Sequence, residues 1–253
     1  MKGLLAGLGL GLAAFLVFLI VTAPARLVVP LLPEALQVVD LEGTVWSASA
    51  RGVRVNDLDL GQVDWRLHAL PLAWATLSAA VALNGGQIQG QGEIRYRPGL
   101  VRLEDTTLSV NGGLLSRLVE DLGITVGGSA LELDLPLLAV TPDGPVAAQG
   151  VCLWRDARLN APAAIELGEV HGVLRQDGDT ATLQIRNQKA PLGVGGEISF
   201  GPEWVYAARI QLTPGPQAPE ALRENLKLLG KADRRGRVVV EDTGQIPVAE
   251  LGL

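Results

Sequence analysis

From residue 41 onward the chain alternates. Val63, Trp65 and Leu67 are separated by Asp64, Arg66 and His68. Ile88, Ile94 and Tyr96 share one parity with Gly90 and Gly92, while Gln87, Gln89, Gln91, Glu93 and Arg95 take the other. Leu131, Leu133 and Leu135 alternate with Glu132 and Asp134, and Ala181, Leu183 and Ile185 with Thr182, Gln184 and Arg186. Trp204, Tyr206, Ala208, Ile210 and Leu212 continue the theme. A period of two is the mark of a strand with one apolar and one wet face. Asn84-Gly85-Gly86, Asn111-Gly112-Gly113 and Asp177-Gly178 predict turns between such strands. Two stretches carry leucines at helical spacing instead. They are 114–122 (LLSRLVEDL), stopped by Gly123, and 219–229 (PEALRENLKLL), stopped by Gly230. The expectation is an all-β dominated chain: a curved, mainly antiparallel sheet with two short covering helices.

The N-terminus follows another pattern. Residues 3–25 carry no charge, and an apolar run of about 20 residues is long enough to span a bilayer as a helix. The expected anchor residues are Leu4, Leu8, Leu12, Phe15, Leu16, Phe18 and Ile20. This divides the chain into a cytoplasmic tip and transmembrane anchor (1–26), a membrane-proximal linker broken by Pro30 and Pro33 (27–40), and a β domain (41–253). Lys2 and the terminal amine favour the N-terminus inside, and Arg26 opposes them. In a Gram-negative bacterium that orientation places the chain in the inner membrane as a single-pass protein with a periplasmic domain. Ala23-Pro24-Ala25 resembles a small-residue cleavage site and leaves open whether the anchor is removed.

A faint echo runs through the β region. Gly43-Thr44-Val45-Trp46 is followed by Leu60-Gly61-Gln62-Val63, and Gly150 to Trp154 is followed by Leu167-Gly168-Glu169-Val170. This points to two β repeats, over 41–135 and 150–240. Trp46, with Ala48 and Ala50 on its parity, is expected to plug the apolar face of the first strand. On that reading Trp46→Ala would cost roughly 3–5 kcal/mol.

Composition narrows the function classes. Hydrophobic residues make up 48% of the 253, so the chain is not a disordered one. A net charge of −6, without a basic patch beyond the small Arg234, Arg235, Arg237 cluster, argues against nucleic-acid binding. The single cysteine, Cys152, lies between Val151 and Leu153 and reads as a buried, inert thiol. A nucleophile triad or a zinc site needs histidine beside carboxylates, but only His68 and His171 exist, and neither stands in such a setting. Asp57 and Asp59 share one strand face, where a solvated surface accounts for them better than acid/base chemistry. No catalytic, cofactor-binding or metal-binding residue is expected.

The ordered blocks carry a resemblance. Gly43, Thr44 and Trp46, then Gly61 and Trp65, then Gly150, Trp154 and Gly168, with Leu228-Leu229-Gly230 and Asp233 to Gly236 near the end, resemble the type II secretion system protein N family. The chain is also similar, more distantly, to the AsmA-like group. The first resemblance implies a non-enzymatic accessory subunit of the inner-membrane platform of that machine, which exports folded proteins. Its implied partners are the platform proteins of the C, L and M families, with the secretin more remote. The second implies a groove that binds lipid or another hydrophobe.

Overall fold

The computed structural model describes residues 15, 18–31, 36–56, 58–69, 76–118, 125–161, 164–188, 190–215, 218, 220, 223, 226, 233 and 236–246. These residues form one sheet. Its strands are β1 (Leu36–Gln37), β2 (Asp40–Thr44), β3 (Ser47–Val55), β4 (Leu58–His68), β5 (Leu77–Asn84), β6 (Ile88–Arg97) and β7 (Leu100–Val110). They continue as β8 (Thr125–Gly127), β9 (Leu131–Thr141), β10 (Gly144–Ala161), β11 (Ile165–Asp177), β12 (Thr180–Gln188), β13 (Leu192–Phe200), β14 (Val205–Pro214) and β15 (Val238–Gln245). The spatial order is β1-β3-β4-β5-β6-β7-β9-β10-β11-β12-β13-β14-β15, with β2 beside β3 and β8 beside β10. Every pairing is antiparallel. Helix α1 (Gly112–Leu118) follows β7 and packs against β8. Asn111, expected in a turn, instead caps α1: its Oδ1 accepts the Leu114 N–H at 2.9 Å. Residues 220, 223 and 226 are helical and lie in the second expected helix, whose other residues fall outside the described ones.

The strand order repeats itself. In the first run β1 pairs the end of β3 and β2 pairs its start; β4, β5, β6 and β7 follow in turn. In the second run β8 pairs the end of β10 and β9 its start; β11, β12, β13 and β14 follow. The β3–β4 and β10–β11 pairings are each broken by two successive register shifts around a glycine in the left-handed region, Gly61 at φ +70° and Gly168 at φ +67°. Such a conformation strains any residue with a Cβ. Drawn on the pairing, the two units span 25–110 and 112–214, against 41–135 and 150–240 drawn on the sequence echo. β15 then takes beside β14 the place that β9 takes beside β7.

The membrane helix is the part of the expected fold that the structure overturns. Among the described residues no helix is long and apolar enough to cross a membrane. Residues 18–21 are helical, but the helix stops there. Beyond it Ala23 and Pro24 join the sheet: Val45 N–H donates to Ala23 O at 2.9 Å, and Pro24 bridges Thr44. Of the expected anchor residues, Phe15, Phe18 and Ile20 are helical and exposed at 56%, 62% and 56%, and Leu4, Leu8, Leu12 and Leu16 lie outside the described residues. The expected linker contains a 3-10 helix, Ala25–Leu31, and β1.

Register fixes which side chains share a face. Directly opposed residues point the same way. Ala48 faces Trp65, Trp65 faces Val81, Leu83 faces Gly90, Gly90 faces Leu108 and Leu108 faces Leu133. Leu133 faces Cys152, Cys152 faces Gly172, Gly172 faces Ile185, Ile185 faces Gly196, Gly196 faces Ile210 and Ile210 faces Val240. One apolar face therefore runs unbroken from β3 to β15. Its two ends are covered. Ala25 closes on Leu41, Ala48, Ala50 and Val53 at one, and Ala218 and Leu226 close on Leu192 and Val238 at the other. In the middle, Leu103, Leu108, Leu133, Leu174 and Leu183 are only half-buried. The sheet is curved. Cα atoms of β4 and β6, of β10 and β12, and of β11 and β13 approach within 8 Å, closer than the roughly 9.5 Å that separates alternate strands in a flat sheet.

Candidate functional site

The signature tryptophans are clasps. Each of the four described ones donates its indole N–H to a backbone carbonyl distant in sequence. Trp46 bonds Ile20 O at 2.7 Å, Trp65 bonds Val45 O at 3.1 Å, Trp154 bonds Ser129 O at 3.2 Å and Trp204 bonds Thr141 O at 3.1 Å. Trp46 is not the expected strand plug. It occupies the two-residue turn between β2 and β3, where Thr44 faces Ser47, and is half-buried. Its ring ties that turn to the end of the N-terminal helical segment. The apolar plug opposite Ala48 is Trp65, which packs on the buried cluster of Ala48, Ala50 and Val53. Trp154, on β10, lies opposite Leu131 and Val170.

The glycines of the motif serve close approaches. A Cβ on Gly43 would meet the Ala48 Cα at 2.9 Å, and one on Gly150 would meet the Asp134 carbonyl at 2.8 Å. Asp59 Oδ1 accepts the Gly61 N–H at 2.9 Å and so fixes the first bulge. Its expected companion, Asp57, lies outside the described residues.

The opposite face is polar, and its charges are laced across strands. Arg95 bridges Glu93 and Glu104, Arg102 pairs with Glu104 at 2.7 Å, and Arg209 pairs with Glu241 at 3.0 Å. Pairs this exposed contribute little each. A tighter knot centres on Asp64, which sequence reasoning did not single out. Asn84 donates to its Oδ2 at 2.8 Å, and Gln62 Nε2 to its Oδ1 at 3.0 Å. Hydrogen bonding from Ser49 foremost, then from Gln62 and Asn84, holds the Asp64 carboxyl below the ordinary range. The only sequence signal for it was the polar parity of three separate strands.

The histidines stand apart on that same face. His68 Nδ1 is 3.2 Å from Ser78 Oγ, its cross-strand neighbour. His171 Nε2 is buried without a hydrogen-bond partner, 3.8 Å from Glu169 Oε2. It borders a shallow depression of about 660 Å³ floored by Val151, Leu153 and Val173, and another of about 790 Å³ that also includes Arg175 and Glu197. No group of three His, Cys, Asp or Glu among the described residues could hold a metal ion. Cys152 is half-buried on the apolar face over Gly172, and burial pushes its thiol up. Arg237 hydrogen-bonds Asp233 in a turn; Arg234 and Arg235 lie outside the described residues.

Among the described residues the sheet offers two contrasting faces, one apolar and one polar, and comparison with known proteins gives its family. A protein of Vibrio cholerae serotype O1 named Type II secretion system protein N is 27% identical over 85% of this chain and 87% of its own length. Namesakes from Aeromonas hydrophila, 29% identical over 93% of this chain and 96% of theirs, and from Klebsiella pneumoniae, 26% identical over 91% and 92%, match as well. No solved structure matches. The family profile described as Type II secretion system (T2SS), protein N fits residues 34–241, which takes in every strand from β1 to β14 and the start of β15. The chain therefore belongs to the type II secretion system protein N family.

Proposed function

We propose that this chain is a non-enzymatic accessory subunit of the inner-membrane platform of the type II secretion system. The observation that carries the reading is family membership across the whole sheet. The clasped tryptophans and the laced polar face support it, because they describe a stiff scaffold that presents a surface. On this reading the partners are the platform proteins of the C, L and M families, with the secretin more distant. The sheet stands on the periplasmic side. Removal of the gene should stop or reduce secretion of the exported proteins, and the platform proteins should co-purify with the solubilised chain. Unchanged secretion together with no enrichment of those proteins would sink the proposal.

A second reading rests on the apolar face, which is half-buried between its two covered ends. A face of this kind fits the acyl chains of a lipid or another elongated hydrophobe. Native mass spectrometry of the chain, released from mild detergent, should then retain lipid. A spectrum of the empty chain alone would count against it.

A further inference from the structure

We infer that the outer edge of β15 is a docking site for an extended basic segment of a partner protein, which adds one more strand to the sheet. The repeat supplies the first reason. β9 pairs β7 on one side and β10 on the other. β15 pairs β14 in the same way, and among the described residues no strand lies on its far side. Among the described residues the sheet thus stops where its own pattern calls for another strand, with a row of backbone donors and acceptors turned outward.

At the opposite end the edge of β2 is partly covered. Pro24 bridges Thr44, Val45 N–H bonds Ala23 O, and Arg26 Nε reaches Leu41 O on β2 at 3.4 Å. Among the described residues β15 has no such guard. Its sequence, VVVEDTGQ, lacks the proline or lysine that usually blunts an edge, and Val239 and Val240 are exposed at 38% and 37%.

Charge selects the occupant. β15 carries Glu241 and Asp242 and no basic residue. Each uses one oxygen inward: Glu241 meets Arg209 at 3.0 Å and Asp242 accepts the Tyr206 hydroxyl at 2.9 Å. Two copies paired antiparallel with their apolar faces on the same side would set Glu241 opposite Glu241 or Asp242 opposite Asp242, and a parallel in-register pair would also set each acid opposite itself. Like charges so placed are destabilising, which disfavours self-association through this edge. A head-to-tail contact would meet Ala23, Pro24 and Arg26 on the β2 edge. The fitting guest alternates, with a lysine or arginine opposite Glu241 on the polar face and an apolar residue opposite Val240 on the other.

Two synthetic eight-residue probes test this, both with valine at alternate positions, one spaced by lysine and threonine, the other by glutamate and threonine. Fluorescence anisotropy with the full chain should show the lysine peptide binding at least tenfold more tightly. The double variant Glu241→Lys, Asp242→Lys should invert that preference while still melting cooperatively, somewhat below the parent because Arg209 and Tyr206 lose their partners. A control, Asp177→Lys with Asp179→Lys in the distant turn between β11 and β12, should leave it intact. The proposal is overturned if the lysine peptide does not bind, if both peptides bind alike, or if the control reverses the preference as the edge variant does. It is also overturned if Val240→Cys, in a Cys152→Ser background, oxidises to a disulfide-linked dimer in high yield.

Discussion

Trp46 and Trp65 lie close together in the motif yet should behave differently on truncation. Trp46→Ala removes a 2.7 Å hydrogen bond in a turn, worth about 1 kcal/mol net, and the contacts of a half-buried ring. A loss of roughly 1–2 kcal/mol is expected. Trp65→Ala removes a 3.1 Å bond to Val45 O and also uncovers the buried cluster of Ala48, Ala50 and Val53. Small residues there cannot expand into the space, so the loss should approach the roughly 3–5 kcal/mol of a core aromatic deletion. The phenylalanine variants separate the two contributions. Both keep a ring and drop the indole N–H, and both should cost about 1 kcal/mol. Urea unfolding followed by far-ultraviolet circular dichroism reads these differences without relying on tryptophan emission. If Trp46→Ala proves as costly as Trp65→Ala, then Trp46 is a core residue after all and its assignment to the turn clasp fails.

Other outcomes follow from the same geometry. Gly61→Ala should cost roughly 2–4 kcal/mol, since it combines a left-handed backbone with a Cβ 2.8 Å from the Gly86 nitrogen; Gly99→Ala, at φ +78° in open space, should cost about 1–2 kcal/mol, and equal losses would deny the close approach. Asp64 has a lowered folded pKa, so its contribution is fully present above the unfolded value near pH 4 and is lost as pH falls further; acid titration of stability below about pH 4 should be steeper than in Asp64→Asn, and superimposable curves would contradict this. Cys152, its thiol pushed up by burial, should react slowly with a disulfide reagent at neutral pH and rapidly in urea; fast reaction in the native chain would place it at the surface.

Much of the sheet was legible because a half-buried strand writes its period into the sequence. The parity of Ile88, Gly90, Gly92, Ile94 and Tyr96 is the face they share, and Asn84-Gly85-Gly86 is a turn. What the period does not contain is which strand lies beside which, so the single ordered sheet and the knot of Ser49, Gln62, Asp64 and Asn84 came only with the register. Trp46 misled because turn and strand differ by a single residue at Ser47, and parity carried one position too far predicts a plug. Asn111-Gly112-Gly113 misled because the side chain that favours a turn also caps a helix. The 3–25 run misled: among the described residues no helix is long and apolar enough to cross a membrane, and after the helical residues 18–21 the chain joins the sheet at Ala23.

The near-sequential strand order bears on how the chain comes to be folded. From β3 to β7 and again from β9 to β15, each strand pairs with the next one made. Sandwiches and Greek keys must close long loops before their contacts form, which slows them. Here, apart from the longer links from Val110 to Leu131 and from Pro214 to Val238, each closure is a hairpin or a short connection laid onto an existing edge. Folding can therefore advance by accretion, strand upon strand, at the pace the polypeptide is delivered, and an interrupted chain would still hold the hairpins already laid down.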